Sequence, residues 1–438
     1  MTDASTQLDP VLTVDLAARV ALRPLLPPEK TTAHRAGMVQ TECPYCKSAS
    51  CFATDVEFRC EECGGAGGVL EYCMARDGRT EDDASAWLAS RALTADEASR
   101  YIERCGAAAL ANDVARKWYH TQFINNEDAC AWWDHRGFTL DRAKAEMIGL
   151  APADARSFLD AMKQAYVSRD ALIDAGLVVA GRTAGTVTVR FRDRLLFPIT
   201  DSRDVSTIAF TGRAMQEDSH DGKRPKYLNT GASLLWQKRR TLYGLGQARA
   251  TIAKTRTVYL VEGQFGVLRC IVSDVKNVVA SSGTAFTPAQ AALLAAIARG
   301  EKPRSEIRLV ISYDEDAGRL ARAAARVGLI AGFSVRIVPF PKGEDDPDAY
   351  GRTHGGSALQ ALLHSGVDAL EVVYRASSMH TGDDLACVPL RERMRAIDDV
   401  RDYVLAASSP KVRKASATAA AGWYGTTPEE MLNGSQAA

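Results

Sequence analysis

The chain has no excess charge of either sign: 54 Lys and Arg balance 54 Asp and Glu over 438 residues. Any attraction to nucleic acid must therefore be local, not global. No apolar run approaches the roughly 20 residues that span a bilayer, and the first thirty residues carry no signal-peptide pattern. The expectation is a cytoplasmic chain without a membrane partner. No GxxxxGK[ST] loop occurs, which excludes a recognisable P-loop NTPase motor, and there is no internal repeat. Cysteine is not scarce, but the ten present have no route to an oxidising compartment. Six of them, Cys51, Cys73, Cys105, Cys130, Cys270 and Cys387, are scattered singly and read as reduced, buried small residues. With 46% apolar residues the chain can build two or three cores.

Against these absences stands a gathering of carboxylates between residues 257 and 348. The runs TVYLVE, EIRLVIS and SVRIVPF are short, β-branched and nearly continuous in apolar character, with alanine-rich helical stretches between them. That pattern predicts a buried parallel sheet. Acidic residues follow each run: Glu262, then Asp314 and Asp316, then Asp346 and Asp348. In an open α/β sheet the reactive crevice lies outside the carboxyl ends of the strands. Carboxylates crowded there repel unless divalent cations lie between them, and oxygen-only ligands suit Mg²⁺ or Mn²⁺ and phosphoryl transfer.

A second pattern is Cys43-Pro44-Tyr45-Cys46, followed after thirteen residues by Cys60-Glu61-Glu62-Cys63. Two CxxC knuckles at this separation can supply four thiolates to one tetrahedral, structural Zn²⁺. A single CxxC would read equally as a redox dithiol; two in register favour zinc. The segments 51–54 and 57–59 read as short ribbon strands, and GGAGGV (64–69) as a sharp exit turn.

The acids carry a family resemblance. Glu-Gly after one strand and Asp-x-Asp after another resembles the Toprim domain of primases, topoisomerases and some nucleases. VEGQFGVL (261–268), VVASSGTAFTPAQ (278–290), YDEDAGRLARAAAR (313–326) and DDPDAY (345–350) are similar, in order and over roughly ninety residues, to bacterial DnaG-type DNA primases. The cysteine segment with GGAGGVLEYCMARDG resembles the zinc-binding domain of the same primases, with Cys46 where a histidine is usual, as in some phage members. RFRDRLLFPITD (190–201), IAFTGRAM (208–215) and RPKYLNTGASLLWQKRRTLYGLGQA (224–248) resemble successive blocks of the primase polymerase core. One departure is Gly266, where the family usually carries an acid.

The charge distribution agrees. From Gly181 to Arg256 there are fifteen Lys or Arg against six Asp or Glu. Such a stripe suits phosphate neutralisation, and interleaved aromatics can stack on unpaired bases. The resemblance implies that Arg194, Arg213, Lys226, Tyr227, Asn229 and Lys238 contact template or nucleotide, while Trp236, where the family usually has another aromatic, reads either as a stacking face or as core.

The organisation implied is a multidomain α+β and α/β chain: a zinc ribbon domain over 1–98 and a mixed α+β basic subdomain over 99–253. A Toprim α/β sheet over 254–352 and C-terminal helices over 353–438 complete it. Helices are expected near Val14–Leu22, Val69–Arg76 and Asp82–Ser90, with a hinge near Leu93–Ser99. The implied activity is template-directed synthesis of short RNA primers on single-stranded DNA from ribonucleoside triphosphates. Glu262, Asp314 and Asp316 would bind catalytic Mg²⁺ or Mn²⁺, and Asp346 and Asp348 would support a second ion or the triphosphate. Fewer than ninety residues follow the Toprim segment, so a replicative helicase partner would engage a shortened surface, as expected for a phage or mobile-element protein. Three alternatives stay open: a type IA topoisomerase, which would need a tyrosine on a large separate arch, a Toprim nuclease, and a non-catalytic single-stranded DNA-binding factor marked by Gly266.

Overall fold

The computed structural model describes residues 25–433 apart from 34–37, 45–46, 54–56, 61–65, 78–83, 85–86, 89–94, 182, 184, 204, 216–224, 232, 284–285, 300–305, 315–317, 342, 345 and 377–389. The helix expected near Val14–Leu22 and most of the one expected near Asp82–Ser90 lie outside the described residues. Two compact units are formed by the described parts of 68–246 and of 23–67 with 247–438. Among the described residues no helix is long and apolar enough to cross a membrane.

In the segment before residue 68, β1 (Thr32–Ala33), β2 (Val39–Thr41), β3 (Cys51–Ala53), β4 (Glu57–Cys60) and β5 (Ala66–Gly68) form one sheet in sequence order. Strand pairing is antiparallel from β1 to β4, with Cys51 opposite Cys60 and Ala53 opposite Phe58. All four of these residues are buried. In strands this short, the period-2 alternation commits every second side chain to the interior.

The unit over 68–246 begins with α1 (Val69–Asp77) and α2 (Ala95–Ile124). The latter is one continuous helix of 30 residues that starts inside the stretch where the sequence places a hinge and runs past the expected boundary at 98–99. Its buried stripe, Cys105, Ala108, Ala111, Ala115, Tyr119 and Phe123, keeps the helical period and faces a small sheet. Next come α3 (Glu127–His135), α4 (Leu140–Ala145), β6 (Gly149–Ala151), α5 (Ala155–Gln164), α6 (Arg169–Asp174) and the hairpin β7 (Val178–Ala180) with β8 (Val187–Val189). Strands β9 (Arg194–Thr200), β10 (Thr207–Ala214) and β11 (Tyr227–Asn229) join β6 in the antiparallel order β11-β10-β9-β6. Where β6 passes α2 only glycine fits, because a Cβ on Gly149 would stand 2.7 Å from Tyr119 Cβ. Tyr119 in turn stacks on Phe158 at 5.1 Å.

After α7 (Leu245–Thr255) come β12 (Thr257–Val261), α8 (Gln264–Val272), β13 (Val278–Ala280), α9 (Pro288–Arg299), β14 (Arg308–Ser312), α10 (Gly318–Ile330) and β15 (Ser334–Ile337). The chain ends in α11 (Pro347–His354), α12 (Gly356–His364), β16 (Val367–Asp368), α13 (Ala369–Ala376), α14 (Leu390–Ala406), α15 (Pro410–Tyr424) and α16 (Pro428–Asn433). Sheet order is β13-β12-β14-β15-β16, parallel except for β16 at the edge. The three apolar runs form three parallel strands, as their composition predicts. Residues 258–261 and 309–312 are buried without interruption, because helices cover the sheet. The last four helices pack around Leu370, Val373, Val400, Val404 and Met431, with Tyr374 stacked on Trp423 at 4.6 Å.

Candidate active site and nucleic-acid face

Glu262 immediately follows β12, and Asp314 is the second residue beyond β14. These strands are neighbours, with Val261 opposite Ser312, so both carboxylates leave the same edge one strand apart. Adjacent strands lie about 4.8 Å apart, close enough for two carboxylates to share a cation. Gly263 begins α8 without a side-chain cap, so the helix starts directly behind Glu262. Tyr313 lies between the acids in sequence and is buried, its hydroxyl 3.5 Å from Ser281 Oγ. Burial pushes its pKa up to about 12, the Ser281 bond opposes the shift, and the Glu262 charge adds to it.

The segment after β15 uses its acids differently. Asp346 is the N-cap of α11: its Oδ1 accepts from the Ala349 amide at 2.6 Å, with Pro347 at the first helical position. Asp348 is 1% exposed, and Arg269 Nε on α8 donates to its Oδ1 at 3.0 Å. Arg352 Nε lies 3.7 Å from the other carboxylate oxygen. Asp316 lies outside the described residues. Among the described residues, no three His, Cys, Asp or Glu side chains form a metal-sized cluster. The oxygen donors at Glu262 and Asp314 fit a hard divalent cation; the guanidiniums around Asp348 do not invite one.

The sheet in 68–246 carries the basic residues. Arg213, 6% exposed, stands opposite Tyr227 on β11, and its guanidinium lies between two rings, 5.2 Å from Trp132 and 5.7 Å from Tyr227. Arg136 lies 5.8 Å over Trp132, so Arg136, Trp132, Arg213 and Tyr227 alternate cation and ring. The ladder is anchored by Trp132 Nε1, which donates to the Met215 carbonyl at 3.0 Å, and it ends at Tyr227, 37% exposed. Arg194 is buried and donates to the carbonyls of Pro225 and Lys226, at 2.8 and 3.3 Å, fixing the chain that leads to Tyr227. Asn229 Oδ1 accepts from Thr211, and Arg190 donates twice to the Asn229 carbonyl. Lys226 and Lys238 are exposed. Trp236 is buried, which favours core over a stacking face. Sequence reasoning passed over Trp132, Arg136 and Arg190; the aromatic and basic density of WWDHRGF (132–138) is the signal that could have found the first two.

At the cysteine segment, the Cys43 amide donates to Ser48 O at 2.8 Å and its carbonyl accepts from Lys47 N at 3.1 Å. Lys47 is left-handed at φ 63°, which closes the tight turn. Cys43 and Cys60, at this turn and at the end of β4, are buried. Two buried thiols at a turn and a strand end fit half of a tetrahedral thiolate set. Cys46 and Cys63 lie outside the described residues.

Residues 118–249 match the family model of the DNA primase catalytic core, N-terminal domain, and residues 259–351 match a Toprim-like family. A DNA primase of Clostridium acetobutylicum is 30% identical over 323 residues, covering 72% of this chain and 51% of its own length. The chain spans about half the length of the curated relatives it matches. The crystal structure of the Aquifex aeolicus primase, with zinc-binding and RNA polymerase domains, superposes with a TM-score of 0.63 at 24% identity. That fold likeness covers 97% of this chain and 99% of the other. The RNA polymerase domain of Mycobacterium tuberculosis primase DnaG, solved with a double-stranded DNA oligomer bearing a 6-nucleotide overhang, has a TM-score of 0.61 at 28% identity, covering 73% and 98%. Two adjoining segments thus match the primase-core and Toprim-like families, and curated DNA primases are similar over a span that reaches beyond either one, so the chain is similar to DnaG-type DNA primases across both segments.

Proposed function

We propose that this chain synthesises short RNA primers on single-stranded DNA, as a template-directed RNA polymerase that initiates DNA replication. The observation that carries this reading is the placement of Glu262 and Asp314 at the ends of adjacent parallel strands in the Toprim-like segment. The primase names of the curated relatives and the DNA-bound M. tuberculosis domain support the same substrate class.

In this reading Glu262, Asp314 and Asp316 hold Mg²⁺ or Mn²⁺, which when bound neutralises phosphate charge and lowers the cost of ionising a 3′-hydroxyl. The attacking 3′-oxygen forms a bond to the α-phosphorus of a ribonucleoside triphosphate, the bond to pyrophosphate breaks, and the hydroxyl proton passes to solvent. No protein atom becomes covalently attached. Tyr227 offers a ring face to an unpaired base, Arg213 holds that ring, and Lys226 and Lys238 take phosphates. Arg194 and Asn229 position the strand that presents Tyr227. We assign 1–98 to a zinc ribbon domain, 99–253 to the basic part of the polymerase core, 254–352 to Toprim and 353–438 to a helical tail that would offer any replicative helicase its contact.

Incubating circular single-stranded DNA with ribonucleoside triphosphates and Mg²⁺ tests the reaction class. Short RNA with an intact circle is expected. A linearised circle with no nucleotide added would indicate a nuclease, and relaxation of a supercoiled plasmid supplied in a parallel reaction would indicate a topoisomerase.

Tyr227→Ala should weaken single-strand binding by about 1–3 kcal/mol, the contribution of one base–aromatic stack, with little change in salt dependence. Lys226→Ala should instead reduce the salt slope, since it removes a phosphate contact. Fluorescence anisotropy over a salt series separates the two.

For the ribbon, metal analysis should find one zinc per chain, lost when Cys60→Ser and Cys63→Ser are combined. Zinc retained in that variant would overturn the ligand set.

A further inference from the structure

The strands that lead to Glu262 and Asp314 at one end line a cavity of about 380 Å³ at the other. Its floor is one face of the sheet, where Thr257 stands opposite Arg308, Tyr259 opposite Val310, and Val310 opposite Arg336. Helix α12 walls one side with Gln360, Leu363 and His364, and Asp274 and Asn277 close another. Thr257 begins β12 and Val261 ends it, a span of about 13 Å, so the cavity is well removed from the acidic edge. It also lies at the amino ends of the parallel strands, whereas the reactive crevice of an open α/β sheet lies at their carboxyl ends.

The cations of this cavity are uncommitted. Among the described residues the Arg308 side chain makes no hydrogen bond and no ion pair. Arg336 Nε donates to the Gly366 carbonyl at 2.6 Å, which fixes the guanidinium and leaves its two terminal nitrogens as donors. Two such forks, diagonal to each other on adjacent strands, suit phosphate oxygens. The side-chain nitrogens of Asn277 and Gln360 are committed to the Thr257 and Ser273 carbonyls, at 2.8 and 2.6 Å, so both amide oxygens remain as acceptors. His364 Nδ1 donates to the Gln360 carbonyl at 2.6 Å, which leaves Nε2 as a further acceptor. Acceptors beside phosphate-binding cations call for a ligand that also carries hydroxyl or amino donors, as a nucleoside does. Carboxylates bound the positive patch: Asp274, 3.0 Å from Lys276, and Asp368, opposite Arg336 on β16. They favour a compact anion over a long polyanion, and the volume is that of a small-molecule pocket.

We propose that this cavity is a binding site for a nucleoside phosphate, separate from the edge that carries Glu262 and Asp314. Arg308 and Arg336 take the phosphates, and the Asn277 and Gln360 oxygens accept from the ribose or the base. The site binds without making or breaking a covalent bond, and its assignment does not depend on the reaction performed at the acids.

The test is calorimetric titration of the zinc-loaded full chain carrying Asp314→Ala, without added Mg²⁺ or Mn²⁺, so that the acidic edge does not contribute. ADP, GDP, CDP and UDP are the probes, each in turn, with pyrophosphate and oligo(dT) in parallel. At least one diphosphate should bind once per chain, more tightly than pyrophosphate. Arg308→Gln in the same background should weaken it about tenfold or more, the scale of one charge-assisted hydrogen bond. An azido analogue of the diphosphate that binds should, on irradiation, label segments 255–277 or 356–364, which decides the matter if Arg308→Gln does not fold. Absence of binding by every diphosphate, or labelling confined to other segments, would overturn the proposal. So would binding indifferent to Arg308→Gln but lost in Lys238→Ala, which would place the nucleotide on the basic sheet. Pyrophosphate bound as tightly as any diphosphate would overturn the nucleoside, and Arg308-dependent binding of oligo(dT) alone would replace the nucleotide by a strand.

Discussion

Asp314→Ala is expected to reduce primer synthesis by at least about 100-fold, the scale on which one strong electrostatic contact to a transition state acts. Binding of single-stranded DNA should stay within a few-fold. The separation follows from position. Asp314 is half-buried two residues beyond β14, at the strand-end edge, whereas the cation–ring ladder ending at Tyr227 belongs to the sheet in 68–246. Parallel measurements of nucleotide incorporation and anisotropy check the result. Equal loss of synthesis and binding would mean that Asp314 maintains the fold.

Arg269→Met alone should lower stability by about 3 kcal/mol or more, because removing one partner leaves a buried carboxylate uncompensated. Arg352, more exposed and 3.7 Å away, offsets only part of that loss. The paired change with Asp348→Leu should recover most of it, since the cost comes from the orphaned charge and not from absence of the ion pair. Urea unfolding of the single and double variants reads this directly. A single variant as stable as wild type would show that the pair does not compensate a desolvated charge.

The sheet was legible because its strands are buried on both faces. Residues 258–261 and 309–312 read as continuous apolar runs with acids just past their ends, and register then brings Glu262 and Asp314 to one edge. Strand β13, Val278–Ala280, is three residues long and is held by pairing with β12 more than by its own pattern. The cap at Asp346 and the ion pair at Asp348 were less legible, for different reasons. Asp346 followed by Pro347 is a helix-start signature, and sequence reasoning weighted its charge over its capping geometry. The Asp348 partner is on another helix, and nothing local announces that Arg269 points inward. The ladder draws Trp132 and Arg136 from one segment and Arg213 and Tyr227 from two strands, so composition revealed the basic stripe but not the stacking order. Helix α2 starts inside the stretch expected to be a hinge, and its alanine-rich part past residue 105 has a face that buries against the sheet.

The measurement that tests the central claim most directly is incorporation of labelled ribonucleotides on mixed-sequence single-stranded DNA with Mg²⁺ or Mn²⁺, with products resolved by length. Wild-type protein should yield short RNA made de novo, dependent on template and absent with Asp314→Ala. Protein that binds the DNA but yields no product with either metal would contradict the account and leave a single-stranded DNA-binding protein.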